Sequence, residues 1–491
     1  MQQPIIFQKK ERKSSATSPP GQYLPQSLNT TGWMKSLTAQ PKLLQQLLMK
    51  YDSPLNIHNV RYFKENCKSF EDLLNNYHVK NQVTFTRKIN PNQVYLRTAE
   101  QSGIGVDATD YQELKECLEA GIDPEKLVVT GANKSEKLLC LAINYNVLIM
   151  MESPDECELL HAVAEERGKR AKVGFRVRSF AIEDKNYNSE SGFDIEKIDE
   201  FIIKHFSYTG GCVMLEYEGL FLDMDGSVEE KGNALHLCLD LSERLCKYGL
   251  KTKFIGIKGD MDVRCPQAIQ KSWRFDKVLS KTMNGKCKSV DQAKNRTSFG
   301  FFDTKKLQPF KENESKTDFL KKVLEYKRDK AGTAANRLLE KSILLNIALG
   351  GSLLDQCAFT VCRVASQRKD DSRNIFIGVE MNKPSSLQCN KIIATTPFVV
   401  AHNQNKKTTS VDVFLTSAYG IDQEFLLPYK IRMNQYPEVG DLLIFFNTAA
   451  DTTCFLKPSV NDLSDLSRNL VYTENKHQFT FSEFREDKTI D

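Results

Sequence analysis

From Leu55 onward the chain alternates short apolar runs with segments whose apolar residues recur at helical spacing, the pattern of a parallel α/β architecture. The runs predict strands near Val83–Arg87, Gly105–Asp107, Lys126–Thr130, Val147–Met151, Lys172–Val177, Cys212–Tyr217, Lys253–Ile257 and Ile343–Ile347. Amphipathic helices are expected between most of them, among them Tyr111–Ala120, Ser135–Tyr145, Pro154–Arg167 and Ile195–His205. Eight such strands close a β/α barrel, so a TIM-like (β/α)8 barrel is the predicted fold. A further helix, Trp33–Tyr51, precedes it with Leu37, Leu43, Leu44, Leu47 and Leu48 along one side, and Ser53-Pro54 ends it.

The crossover before the last barrel strand is too long for an ordinary loop. Asp262–Lys330 is lysine-rich, contains Asn284-Gly285 and Pro309, and reads as an insertion, partly loop. Beyond Ile347 the period changes to two. Phe359–Val364, Ile375–Glu380, Val411–Ala418, Glu424–Met433 and Leu442–Asn447 predict an antiparallel β-domain. The expected divisions are a basic, disordered tail over 1–31, a barrel over 32–347 with its insertion at 262–330, a β-domain over 348–480 and a tail over 481–491.

Composition narrows the function classes. The 491 residues carry a net charge of +5, too modest to suggest nucleic acid. No apolar run has the length of a membrane span. The 13 cysteines include no C-x-x-C pair and the 7 histidines no ligand spacing, so free thiols in a reducing, cytoplasmic setting are expected and no metal site.

One stretch bears chemistry directly. Gln82–Asn92, QVTFTRKINPN, reads as a buried strand that delivers Lys88 into a loop closed by Pro91. Burying an ammonium is costly unless it is paired or neutralised. A lysine at the C-terminal lip of a barrel strand is either a Schiff-base lysine for a carbonyl cofactor or a surface lysine just past a strand.

SPLNIH (Ser53–His58), FTRKIN (Phe85–Asn90), GIGVDAT (Gly103–Thr109) and the helix Tyr111–Gly121 with the DPEKLVVTGANKS after it occur in order. GSLLDQC (Gly351–Cys357), GVEMN (Gly378–Asn382), LTSAYGIDQE (Leu415–Glu424) and GDLLIFFNTA (Gly440–Ala449) follow. With these motifs the chain resembles the fold-type III pyridoxal-phosphate enzymes, the ornithine, diaminopimelate and arginine decarboxylases, with alanine racemase as a more distant relative. The resemblance runs from about Trp33 to Tyr472. It implies pyridoxal phosphate as cofactor, Lys88 at the internal-aldimine position, and Asp107 and Arg176 facing the cofactor.

The same comparison exposes departures. Phe221 and Asp223 stand where the family has histidines. The glycine-rich phosphate loop is reduced to Lys258, Gly259 and Asp260, with an acid where a dianion belongs. The Glu-Pro-Gly-Arg block reads Ala348-Leu349-Gly350-Gly351, so the pyridine-nitrogen acid and the phosphate arginine are missing. Gly420 replaces the cysteine contributed across the dimer, although Asp422 and Glu424 still offer carboxylates to a substrate amine, and Asp451 replaces a tyrosine.

The expectation is therefore a decarboxylase-like protein that keeps the Schiff-base lysine and has lost most phosphate- and pyridine-binding motifs. It would be weakly active or non-catalytic, a regulatory or partner subunit in a homodimer or in a heterodimer with a decarboxylase paralogue. The alternative is an active decarboxylase of a basic or diamino acid in polyamine or siderophore-type synthesis. In a third reading the barrel mouth is rebuilt for another small molecule.

Overall fold

The computed structural model describes residues 5–8, 30–178, 180–182, 185–187, 192–206, 212–224, 226–259, 315–328, 332–371, 374–381, 397–401, 410–418, 426, 430–433, 435–450, 468–475 and 478–483. The chain divides into two compact units. One holds residues 61–259 and 315–354; the other holds the described residues up to Val60 and from Asp355 onward.

The first unit is a barrel. Its strands are β1 (Asn81–Thr86), β2 (Gly105–Ala108), β3 (Leu127–Val129), β4 (Leu148–Met151), β5 (Ala171–Arg178), β6 (Leu215–Asp223), β7 (Phe254–Lys258) and β8 (Leu344–Leu349). Each pairs in parallel with the next, and β8 pairs with β1 in the register Ile347 to Val83, so the ring closes. This is the eight-stranded barrel that the apolar runs predict.

The helices start where their capping chemistry allows. Ser135, Ser153 and Ser227 each accept a backbone N–H three residues on, and Pro154 opens the helix Pro154–Arg167, where its missing N–H costs nothing. β6 runs six residues past its expected end at Tyr217. Glu216 and Glu218 interrupt its apolar run, but both are ion-paired with Lys253 at 3.4 and 2.5 Å. That extension carries the strand to Asp223. The end of the lysine-rich insertion is a helix, Lys316–Glu325, with a Ser315/Asp318 capping box. It buries Leu320, Val323 and Leu324 and packs on the helix Val228–Cys246. Residues 262–314 and 329–330 of the insertion lie outside the described residues.

In the second unit the strands Ile5–Gln8, Gln478–Glu483, Arg468–Glu474, Leu55–His58, Ala358–Lys369, Ile375–Val379, Val411–Ser417 and Ile431–Met433 are hydrogen-bonded in that order. Leu442–Phe446 pairs with both Ala358–Lys369 and Phe398–Val400. The sheet is mainly antiparallel, as the period-two pattern implies, but two of its pairings are parallel. Cys362, Val364, Ile377, Val379, Val413, Leu415 and Phe445 form its core.

Three boundaries differ from expectation. The segment from Thr30 to Val60 was expected with the barrel and belongs to this sheet unit, because Leu55–His58 finds its partners in Arg468–Val471 and Ala358–Val361. The expected helix Trp33–Tyr51 is two, Gly32–Thr38 and Pro41–Tyr51, broken where Pro41 has no N–H to continue the ladder. In the tail expected to be disordered, the β-forming run Ile5–Gln8 pairs with Gln478–Phe481. No helix among the described residues is long and apolar enough to cross a membrane. All nine described cysteines are free thiols.

His58 makes the sheet unit sensitive to acid. Its ring is fully buried, with Nε2 donating to Asn469 Oδ1 at 3.0 Å, and desolvation lowers its pKa from 6.5 to about 4. The unfolded chain therefore binds a proton between those values that the folded chain does not. Stability from this group is full above pH 6.5 and is lost as pH falls toward 4, about 2 kcal/mol of it between pH 6.5 and 5. Urea unfolding at those two pH values should show this loss, and His58→Gln should flatten the difference. An unchanged slope in the variant would reject His58 as its source.

Candidate active site

Three side chains that the sequence singles out, Asp107, Arg176 and Lys258, come from the C-terminal halves of barrel strands, where β/α barrels place their chemistry. Asp107 lies near the end of β2, Thr130 just past β3, and Lys258 ends β7. Lys258 Nζ donates to Asp107 Oδ2 at 2.6 Å and to Thr130 Oγ1 at 3.0 Å. Thr130 Oγ1 in turn donates to Asp107 Oδ1. In the ring β7 and β2 are separated by β8 and β1, so this contact ties together strands that share no ladder. Asp107 is 0% exposed and Lys258 7%, which makes this a buried ion pair.

A second network spans three consecutive strands. Arg176 of β5 reaches Glu152, just past β4, through Nη1 at 2.5 Å, and Asp223, the last residue of β6, through Nη2 at 2.5 Å. The backbone N–H of Glu152 donates to Glu156 Oε2 at 2.8 Å, and Glu156 Oε1 accepts from the buried Lys134 at 2.5 Å. Burial raises the pKa of Glu156, and Lys134 opposes that shift.

Lys88 is placed differently. It sits in a single 3-10 turn, Arg87–Ile89, that follows β1. It is exposed and makes no hydrogen bond or ion pair among the described residues. The basic residue buried at this lip is Arg87, 1% exposed, bonded to the Asn90 carbonyl at 3.0 Å and to Glu116 at 2.8 Å. Sequence reasoning missed Arg87, Glu152, Thr130 and Lys134. Arg87 carried one usable signal, a charge inside the apolar run that ends β1.

The glycines and Phe221 decide how much room is left. Phe221 lies in the barrel core with Val128, Met150 and Ala348, and a Cβ added at Gly256 would fall 2.3 Å from its ring. So where the resemblance points to a ring-stacking histidine, the structure has a core side chain. Gly259 follows β7 with φ at +116°. Gly350 follows β8, and a Cβ there would lie 2.6 Å from Ile89 Cγ1, so the space over this glycine is already filled by the turn that carries Lys88. Asp260, Gly420, Asp422, Glu424 and Asp451 lie outside the described residues.

A phosphate dianion bound to such a mouth needs backbone N–H groups that it can approach and a cation not already committed. Asp107 is paired with Lys258, and Glu152 and Asp223 are both paired with Arg176. Lys258 and Arg176 are thus engaged, and Lys88 has no partner among the described residues.

Residues 60–203 match the family described as pyridoxal-dependent decarboxylase, pyridoxal binding domain. That stretch carries the family's pyridoxal-binding domain, and in it the chain is similar to the pyridoxal-dependent decarboxylases. The family's cofactor is pyridoxal phosphate. An uncharacterised protein of Sinorhizobium fredii, y4yA, is 22% identical over 417 residues, 84% of this chain and 86% of that protein. The diaminopimelate decarboxylase of Aquifex aeolicus is 27% identical over 237 residues, 45% of this chain and about half (53%) of that enzyme's length. Among solved structures, diaminopimelate decarboxylase from Helicobacter pylori in complex with L-lysine superposes with a TM-score of 0.65 at 15% identity, covering 90% of this chain and 96% of that one. The Paramecium bursaria Chlorella virus arginine decarboxylase gives 0.60 at 12% identity, covering 88% of this chain and 100% of that one. At such identities the structural likeness bears on the fold alone.

The Asp107–Lys258 pair yields a sharp expectation. Removing one partner of a buried pair strands the other charge, so Lys258→Met should cost about 3–5 kcal/mol, whereas Asp107→Asn combined with Lys258→Met should recover most of that loss. Urea unfolding of the two single variants and the double variant measures the coupling. Additive losses would mean that the two side chains do not interact in solution.

Proposed function

We propose that this chain keeps the decarboxylase scaffold without a working cofactor site, and that it is weakly active or non-catalytic, acting as a regulatory or partner subunit. The observation that carries the proposal is the commitment of Lys258. Among the described residues it is the base near the reduced phosphate loop able to replace the missing arginine, and it is buried against Asp107 and Thr130. Freeing it for a phosphate would leave Asp107 buried and unpaired, a cost of several kcal/mol that phosphate binding would have to overcome. Two further observations agree. Ile89 fills the space over Gly350, and Arg176 is held between two carboxylates. A protein of this kind would act through its surface, pairing with its own copy or with an active decarboxylase paralogue.

A second reading rests on Lys88, which is exposed and uncommitted, as a nucleophilic amine must be. In that reading the chain is a pyridoxal-phosphate decarboxylase of a basic or diamino acid, with Asp422 or Glu424 reading the distal amine. The two readings differ in one measurable property. Purified protein is titrated with pyridoxal phosphate, its spectrum recorded, and the mixture reduced with borohydride for peptide mapping, with Lys88→Ala as control. The proposal expects no visible aldimine band and no adduct on Lys88 at saturating cofactor. A band trapped on Lys88 and lost in Lys88→Ala would sink it in favour of the decarboxylase.

A further inference from the structure

Away from the strand ends, three soft donors converge. Cys157 comes from the helix Pro154–Arg167, His205 from the last turn of the helix Ile198–Phe206, and Cys212 stands three residues before β6. Cys212 lies 55 residues from Cys157 and 7 from His205, so no metal-ligand spacing shows in the sequence; the fold brings them together, with the Cys212 N–H on the His205 carbonyl and the helix Pro154–Arg167 packed on β6. Cys157 Sγ is 3.7 Å from Cys212 Sγ, Cys212 Sγ is 3.7 Å from His205 Nδ1, and all three donor atoms lie within 4.8 Å of one another.

These separations carry information. Two thiolates on one tetrahedral zinc, each at about 2.3 Å, lie about 3.7–3.8 Å apart, and a thiolate and an imidazole nitrogen on the same ion lie about 3.5 Å apart. A disulfide would need its sulfurs at about 2.05 Å, far inside the observed distance. Hydrogen bonding is a weak reason for the cluster, because thiols are poor donors and acceptors. Cys157 is 0% exposed and His205 7%, and His205 Nε2 has no hydrogen-bond partner among the described residues. The Cys212 backbone N–H donates to the His205 carbonyl at 3.3 Å, which brings these two residues together, and the Phe201 ring lies 4.9 Å from the imidazole.

We propose that Cys157, His205 and Cys212 form a binding site for a thiophilic cation, zinc(II), with two thiolates, one imidazole nitrogen and a water in the fourth position. Binding releases the two thiol protons to solvent and forms two Zn–S bonds and one Zn–N bond, with no change of oxidation state. The ion would join the helix after β4 to the chain entering β6, and so would brace the barrel wall on the side of Arg176 and Asp223. The inference is independent of whether the mouth holds pyridoxal phosphate.

The test uses the full chain. Protein stripped with a chelator and reconstituted with zinc should retain about one equivalent after desalting, and cobalt(II) in its place should give the intense thiolate-to-metal absorption of a tetrahedral site. Cys212→Ser and His205→Gln should lower zinc retention at least about tenfold, as loss of one ligand in three implies, while Cys246→Ser, on the exposed end of another helix, should leave it unchanged. Because a ligand variant could fail to fold, alkylation of the unaltered protein provides a second readout. Zinc should protect Cys157 and Cys212 and leave Cys246 reactive. No retained zinc, equal retention by the ligand variants, retention of copper(I) but not zinc, or formation of a Cys157–Cys212 disulfide in zinc-loaded protein would each overturn the proposal.

Discussion

The barrel mouth is organised by a charge that cannot easily be removed. Lys258 and Asp107 sit in an interior where either ion alone would be costly, and each is tolerated because the other is 2.6 Å away. Thr130 completes the arrangement by binding both partners. Strand ends that share no ladder are thereby held in one relation, and with them the spacing of every side chain at the mouth. A buried pair of this sort gives little net stability compared with apolar packing, but it penalises any arrangement in which it is broken. An enzyme that must open its mouth to a dianion would be poorly served by such a constraint. A scaffold whose task is to hold its shape would not be hindered.

The second network works by the same logic with less burial. The planar guanidinium of Arg176 already holds one carboxylate on each terminal nitrogen, so most of its charge is met from within the chain. The resemblance placed Arg176 and Asp107 at cofactor-facing positions, and the structure finds both at the strand ends, each facing a partner from within the chain. Substitution at a site thus has two effects: it removes ligand contacts, and it supplies internal partners to the groups that remain. Asp223, at a position where the resemblance expects a histidine, is such an internal partner for Arg176.

Much of the fold was legible because periodicity is a local property. Eight apolar runs separated by amphipathic helices are visible in the chain, and all eight close the barrel. What was not legible depends on pairing across long separations. Nothing in Leu55–His58 says that its partners lie at Ala358–Val361 and Arg468–Val471 rather than in the barrel that follows it directly. The site divides along the same line. Lys88 and Lys258 stand out as lysines in unusual places, but whether each is free or committed is decided by Asp107 and Thr130, from other strands. Arg87, next to the conspicuous lysine, shows the limit well, since one position separates an exposed amine from a buried guanidinium.

The placement of Leu55–His58 also bears on how the molecule is made. During synthesis this strand leaves the ribosome before any barrel strand, yet its neighbour in the sheet arrives about 300 residues later, since Asn56 and Thr360 are separated by 304 positions. At about 5–20 residues per second, that delay is on the order of 15–60 seconds. The barrel can complete its ring within the interval, because all eight of its strands lie between the two. The early strand, with its open hydrogen-bonding edges, has to remain unpaired throughout. The nascent chain therefore passes through a stage with one unit closed and the other unfinished, in which a segment of strand-forming sequence depends on a chaperone or its own solubility until the C-terminal strands emerge.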